Sequence, residues 1–287
     1  MEYRKIGDYA LSRFGLGTKR MPITDVSRVD RLDKELAAEI ANEAISQGVN
    51  FFDTSYSNHK GEAESFLGEY REAHSSDSCH IATSFFELID PRFTYVFQKQ
   101  LKKLHTDRID FYSLEGVCDL NKMRDIDSGA VDFLFEQREA GHIGCLGFSS
   151  ELSPDNLRDF IGRYPWDFVR MRVNYCDWFN KNGSARYEVA KEFNLPIIAH
   201  AALRTGAASA LKPEAVSILK DANPDRSSID WALRFVKSLD AIASVTCNMH
   251  STREVKENAA IFNDAETLSP EEFTVLEACA KAQQKAH

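Results

Sequence analysis

The chain has 287 residues, 43% hydrophobic and 28% charged, the balance of a folded globular protein rather than a disordered one. A formal net charge of -9 leaves no broad basic surface for a phosphate backbone, which excludes nucleic acid as an expected partner. No uncharged apolar run approaches the ~20 residues that span a bilayer, and the opening MEYRKIGDYALSRFG lacks the apolar core of a signal peptide. A cytoplasmic protein without a membrane partner is the expectation.

MEYRKIGDYALSR, before Phe14, suits a hairpin that plugs one end of a fold. Beyond it, eight short β-rich apolar runs alternate with stretches of helical period. The predicted strands are FGLGT (14–18), VNFFDT (49–54), HIATS (80–84), RIDFYSL (108–114), IGCLGFS (143–149), FVRMRVN (168–174), LPIIAHA (195–201) and IASVTC (242–247). After the first of them, DKELAAEIANEAISQG puts Leu36, Ile40, Ala44 and Ile45 on one helical face, with Gly48 free to end the helix. Ser153 ahead of Pro154, and Ser251 ahead of TREVKENAAIF, are N-cap signals for later helices. LSPEEFTVLEACAKAQQKA predicts an extra C-terminal helix.

Strand and helix alternating eight times fit a closed (β/α)8 TIM barrel, whereas an open doubly wound sheet would have to reverse direction. No low-complexity linker interrupts the chain, so residues 1–287 are expected to form a single domain, a monomer or weak homo-oligomer. The cysteines Cys79, Cys118, Cys145, Cys176, Cys247 and Cys279 have neither CxxC nor metal-ligand spacing, so reduced, mostly buried thiols are expected.

In such a barrel the chemistry lies at the C-terminal strand ends, where the following loops build one concave mouth. The residues there are Thr18 with Lys19, Asp53, Ser84, Glu115, Ser149 with Ser150, Asn174, His200, and Cys247 with Asn248. Two acids among small polar groups are not how a packed core is usually finished.

Along nearly its whole length the chain resembles the aldo-keto reductase family. The matching segments are MEYRKIG, GVNFFDTSYS, GEAESFLG, DRIDFYSLEG, AGHIGCLGFSS, VNYCDWFN, ALRTG and STREVKEN. NYCD, LPIIAHAALRTG and ANPDRSSIDWALRF are similar to a branch that often carries a C-terminal iron-sulfur segment; no cysteine run precedes His287, so no cluster is expected. The resemblance implies an oxidoreductase that uses NADP or NAD on a small-molecule substrate, with an Asp, a Tyr, a Lys and a His at successive strand ends. It places the Asp at Asp53, the Tyr at Asn58, the Lys at Ser84 and the His at Glu115.

Three of those four identities are therefore replaced. A phenol with a pKa near ~10 donates a proton poorly unless an ammonium eases its loss, and here both groups are gone. What remains is a possible carboxylate pair without its usual countercharge. If Asp53 and Glu115 face one another, one should titrate high, and Glu115 could serve as the acid. Tyr56 is the substitute phenol to consider, the alternative being a ring packed under its loop.

On the cofactor side the resemblance gives Ser149, Ser150 and Asn174 to the nicotinamide carboxamide and His200 to stacking. Arg170 falls where the family has Gln, either turned inward to pair with Asp53 or Glu115 or turned outward to the helices. Leu203, Arg204, Ser251, Glu257 and Asn258 are the pyrophosphate candidates, while Glu254 stands where an Arg often holds the 2'-phosphate, beside Arg253.

Three functions follow. The first is an altered reductase in which excess negative charge slows carbonyl reduction and favours alcohol oxidation or double-bond reduction. The second is a catalytically silent barrel that binds NAD(P) or a metabolite for regulation. The third is a metal-dependent, non-redox enzyme with Asp53, Glu115 and His200 as ligands.

Overall fold

Tyr3–Ile6 (β1) and Tyr9–Ser12 (β2) pair antiparallel across a turn in which Gly7 takes φ 56. Ile6 and Leu11 from this hairpin are buried at 1% and 0% exposure and close the bottom of a barrel, as predicted. The computed structural model describes residues 1–24, 31–74, 79–85, 92–117, 129–203 and 211–284.

The barrel strands are Phe14–Gly17 (β3), Phe51–Asp53 (β4), His80–Phe85 (β5), Ile109–Val117 (β6), Ile143–Ser150 (β7), Phe168–Arg172 (β8), Ile197–His200 (β9) and Ile242–Asn248 (β10). All neighbours run parallel, and β10 pairs with β3 to close the ring. Each lies within or overlaps a predicted run. β6 departs most: it continues past its predicted end at Leu114, through a register irregularity at which Gly116 takes φ 84, so Glu115 lies inside the strand.

Helices cover the outside. In Lys34–Ser46 the buried stripe is Ala37, Ile40, Ala41 and Ala44, while Leu36 is 45% exposed. Leu36 therefore does not share the inward face assigned to it, because the i, i+3, i+4, i+7 pattern starts one residue later. The Ser153 and Ser251 caps form as expected, each hydroxyl accepting from the backbone N–H three residues on. The extra helix spans Pro270–Gln284. Among the described residues the free, buried cysteines are Cys79, Cys145, Cys176, Cys247 and Cys279; Cys118 lies outside them.

Because side chains alternate across a strand, every second residue points into the barrel. The lower interior layer is Phe51, Ala82, Phe111, Cys145, Phe168, Ile198 and Ala243. Phe51 meets Phe111 edge-on at 5.4 Å between ring centroids, and Phe111 meets Phe168 at 5.7 Å. One step of two residues up the same faces brings Asp53, Ser113 and Arg170. A dry aromatic floor thus carries a polar layer directly above it.

Gly147 makes room for this floor: a Cβ there would lie 2.5 Å from the Phe168 carbonyl oxygen and 2.7 Å from its ring. Gly147→Ala should therefore lower unfolding free energy by about 1–3 kcal/mol in urea denaturation. An unchanged midpoint would contradict this packing of β7 against β8.

Candidate active site

Arg170, at the centre of β8, turns inward and is 8% exposed. Its Nη2 donates to Asp53 Oδ2 at 2.7 Å; its Nη1 donates to Glu115 Oε1 and to Ser113 Oγ, both at 3.3 Å. The two acids do share a cavity, as expected, but they do not face each other short of a positive partner. A guanidinium lies between them, and its planar fork lets one side chain serve both.

Asp53 is 9% exposed. Burial pushes its carboxyl above the usual carboxylate range, the Arg170 guanidinium pulls it back, Glu115 adds to the rise and the Thr246 hydroxyl eases it. Its Oδ1 has no hydrogen-bond partner among the described residues, and neither has the Ser84 hydroxyl, buried at 1% exposure. Glu115 sits nearer the mouth, its side chain 30% exposed.

The cavity above this layer has a volume of about 470 Å³. Among the described residues its charged lining is Asp53 and Glu115 against Lys19, Arg20, Arg170 and Arg172, so the expected excess of negative charge is not found among them. His200 joins the wall from the end of β9. Its enclosure, together with Arg170, Arg172, Arg186 and Lys19, pushes the imidazole down to about 3, which keeps the ring neutral at physiological pH. Asn58 also lines the cavity and donates through Nδ2 to Thr18 Oγ1 at 3.1 Å; Thr18 in turn donates to Thr54 Oγ1 at 2.9 Å. His59, Lys60 and Gly61 follow with φ of 49, 52 and 89, a left-handed run that fixes the direction of this loop.

The profile of the Aldo/keto reductase family matches residues 13–281. The chain belongs to that family. A curated relative, "Uncharacterized oxidoreductase YqkF" of Bacillus subtilis (strain 168), is 23% identical, the match covering 100% of this chain and 99% of that protein. Among solved structures, the holo form of aldo-keto reductase AKR11C1 from Bacillus halodurans is 22% identical with a TM-score of 0.80, over 98% of this chain and 97% of that one. An aldo/keto reductase from Klebsiella pneumoniae in complex with NADP and acetate is 17% identical with a TM-score of 0.77, over 100% and 98%.

The position expected to carry an ammonium is Ser84 on β5, and the charge beside Asp53 comes instead from Arg170 on β8, across the barrel. Arg170 is thereby committed to the acids rather than to a carboxamide. Tyr56 packs outside the cavity lining, its ring 4.9 Å from Lys103 Nζ. Ser149 lines the cavity, but Ser150 points the other way and accepts from Leu152 N at 3.1 Å. Asn174 is spent as an N-cap: its Oδ1 accepts from Asp177 N and its Nδ2 donates to Asp177 Oδ2, both at 2.9 Å.

Of the phosphate-end candidates, Leu203 lines the cavity and Ser251 starts a helix beside it. Arg204 lies outside the described residues. Glu257 is paired with Arg253 at 2.7 Å, and Asn258 is buried at 5% exposure; neither lines the cavity. Glu254 accepts from His250 N at 3.0 Å and lies 3.8 Å from Arg20. Among the described residues no three His, Cys, Asp or Glu side chains converge as metal ligands, and the space between Asp53 and Glu115 is taken by a guanidinium. Arg20, Arg172 and Thr246 were not singled out from sequence; for Arg172 the shared parity of FFD, DFYSLE and FVRMR was the available signal.

Arg170→Met would leave Asp53 buried without its cation, at a cost of about 3–5 kcal/mol at neutral pH. The sign of the pH dependence follows from the raised carboxyl: its stabilising contribution is present at low pH and lost as pH rises through the folded value. Without Arg170 the carboxyl rises further. Urea denaturation should therefore find a smaller loss at about pH 5 than at about pH 7.5; equal losses, or none, would contradict a buried ion pair here.

Proposed function

We propose that this aldo/keto reductase family member is an oxidoreductase with NADP or NAD as cofactor, in which Arg170 steadies an oxyanion and Glu115 carries the proton. Its working direction is alcohol oxidation, with double-bond reduction the other chemistry open to the same groups. The observation that carries the reading is the Arg170 guanidinium held between Asp53 and Glu115 on the cavity floor.

A guanidinium does not give up its proton at neutral pH, so Arg170 is no substitute for the phenol as an acid. It can hold developing negative charge on an alcohol oxygen in a site sheltered from bulk water. The Glu115 carboxylate, at the open end of the triad, takes the hydroxyl proton and passes it to solvent. Asp53 keeps Arg170 aimed at the cavity. The dinucleotide, when bound, accepts or supplies the hydride.

The cavity's donor set fits the phosphate end of a dinucleotide, since Arg20 stands at the rim beside Glu254 in the helix that starts at Ser251. The nicotinamide end keeps Ser149 and His200, with Leu203 beside them. A carboxylate at Glu254 disfavours a 2'-phosphate, which supports NAD at least as strongly as NADP. The commitment of Asn174 and Ser150 elsewhere favours one other reading, a barrel that binds the dinucleotide without turnover.

Fluorescence titration with NADH and NADPH, followed by assay over a panel of alcohols, separates these readings: binding with turnover supports the first, binding alone the second, and no binding overturns both. A designed reversal probes the site's alignment. Ser84→Lys, Asn58→Tyr and Glu115→His must be combined with Arg170→Gln, because an ammonium at 84 would otherwise compete with the guanidinium for Asp53. In a protein that binds NADPH, aldehyde reduction should rise by at least ~10²-fold; no gain would remove the proposed roles.

A further inference from the structure

Arg170 answers Asp53 and Glu115, yet the cavity holds more cations than that. Arg172 lies two residues further along β8, opposite His200 on β9. Its guanidinium, 40% exposed, meets Glu151 Oε1 at 3.1 Å, and the same carboxylate meets Arg186 Nη1 at 3.1 Å through its other oxygen. One acid is thus divided between two guanidinia. Arg186 is itself 7% exposed, with its Nε lacking a partner among the described residues. Across the mouth, Lys19 is exposed and its ammonium has no acid within ion-pairing distance among the described residues. Arg20, by contrast, already faces Glu254.

The charges run Arg186, Glu151, Arg172, then open cavity, then Lys19; one further carboxylate would complete the alternation. A planar carboxylate suits the exposed edge of Arg172, and Lys19 supplies a mobile second donor. We infer that the reacting compound is itself an organic acid, its carboxylate held by Arg172 and Lys19 in front of His200. Its alcohol or carbonyl carbon is then left to Arg170 and Glu115. This rests on the redox reading of the cavity and adds the substrate class to it. The competing source of an oxyanion at these cations is the diphosphate of the dinucleotide.

Calorimetric titration of succinate, and of its uncharged diamide, into the full-length protein with and without saturating NADH or NADPH tests the inference. Succinate should bind at least tenfold tighter than the diamide in both conditions, and Arg172→Gln should weaken it by roughly tenfold while changing dinucleotide affinity less than about twofold. Succinate binding should also raise the His200 imidazole, observed by NMR, from about 3. If Arg172→Gln fails to fold, Lys19→Gln, altered only at an exposed side chain, should weaken succinate several-fold. Equal binding of acid and diamide, no binding of either, or variants that weaken the dinucleotide instead of succinate would each overturn it. A protein that takes succinate but no dinucleotide would sink the redox reading and leave the carboxylate site standing.

Discussion

The interior of this barrel depends on one constraint: a carboxylate placed directly on an aromatic floor must be given a positive partner or a proton. Asp53 stands one step above Phe51, in a layer that Phe111 and Phe168 keep dry from below. Desolvation there works against its charge, and the energy of an unpaired ion in such a place exceeds what a surface contact could return. Arg170 supplies the partner, and Glu115 and Ser113 use up the remaining reach of its fork. The result is a polar layer in which one guanidinium offsets part of the negative charge, instead of the unbalanced carboxylate pair that the replaced side chains imply when taken one at a time.

The pairing with Arg170 bears on each of the departures that the resemblance leads one to expect. Ser84 is too short to reach Asp53 with a charge, and a Gln at 170 could not replace it; Arg at 170 does both jobs of filling the space and balancing the acid. Among the described residues the layer holds neither a phenol nor an ammonium, and on the proposed reading proton donation to a carbonyl loses its usual source whereas stabilisation of an oxyanion is retained. The cations further up the mouth continue the same trend, and His200 among them is held neutral.

Much of the fold was legible because strand periodicity and helix caps are local signals. FGLGT, HIATS and IASVTC need no tertiary context to be recognised as buried strands, and Ser153 and Ser251 announce their helices by residue type alone. Asp53 and Glu115 were legible as a pair because both follow apolar runs at strand ends. The orientation of Arg170 was not: FVRMRVN offers two alternating sets, and Val169 with Met171 could have lined the interior as plausibly as Phe168 with Arg170. Only the neighbouring strands decide it, since Phe51 and Phe111 fix which face is inward. Asn174 has a second role that the sequence also signals. The spacing from Asn174 to Asp177 is a helix-start signal in its own right, and capping competes with ligand binding for the same amide. Leu36 shows the limit of counting hydrophobic residues without the neighbouring layer, which sets the exact stripe that is buried.

The bond between Asp53 and Arg170 is the contact on which the proposed redox chemistry and the charge balance both rest. A double-mutant cycle with Asp53→Asn and Arg170→Gln, read by urea denaturation at neutral pH, measures it directly. A coupling energy of at least about 2 kcal/mol is expected for a desolvated pair of this kind. Additivity within about 0.5 kcal/mol would mean that the two side chains do not depend on each other, and that Arg170 is not the cation of this site.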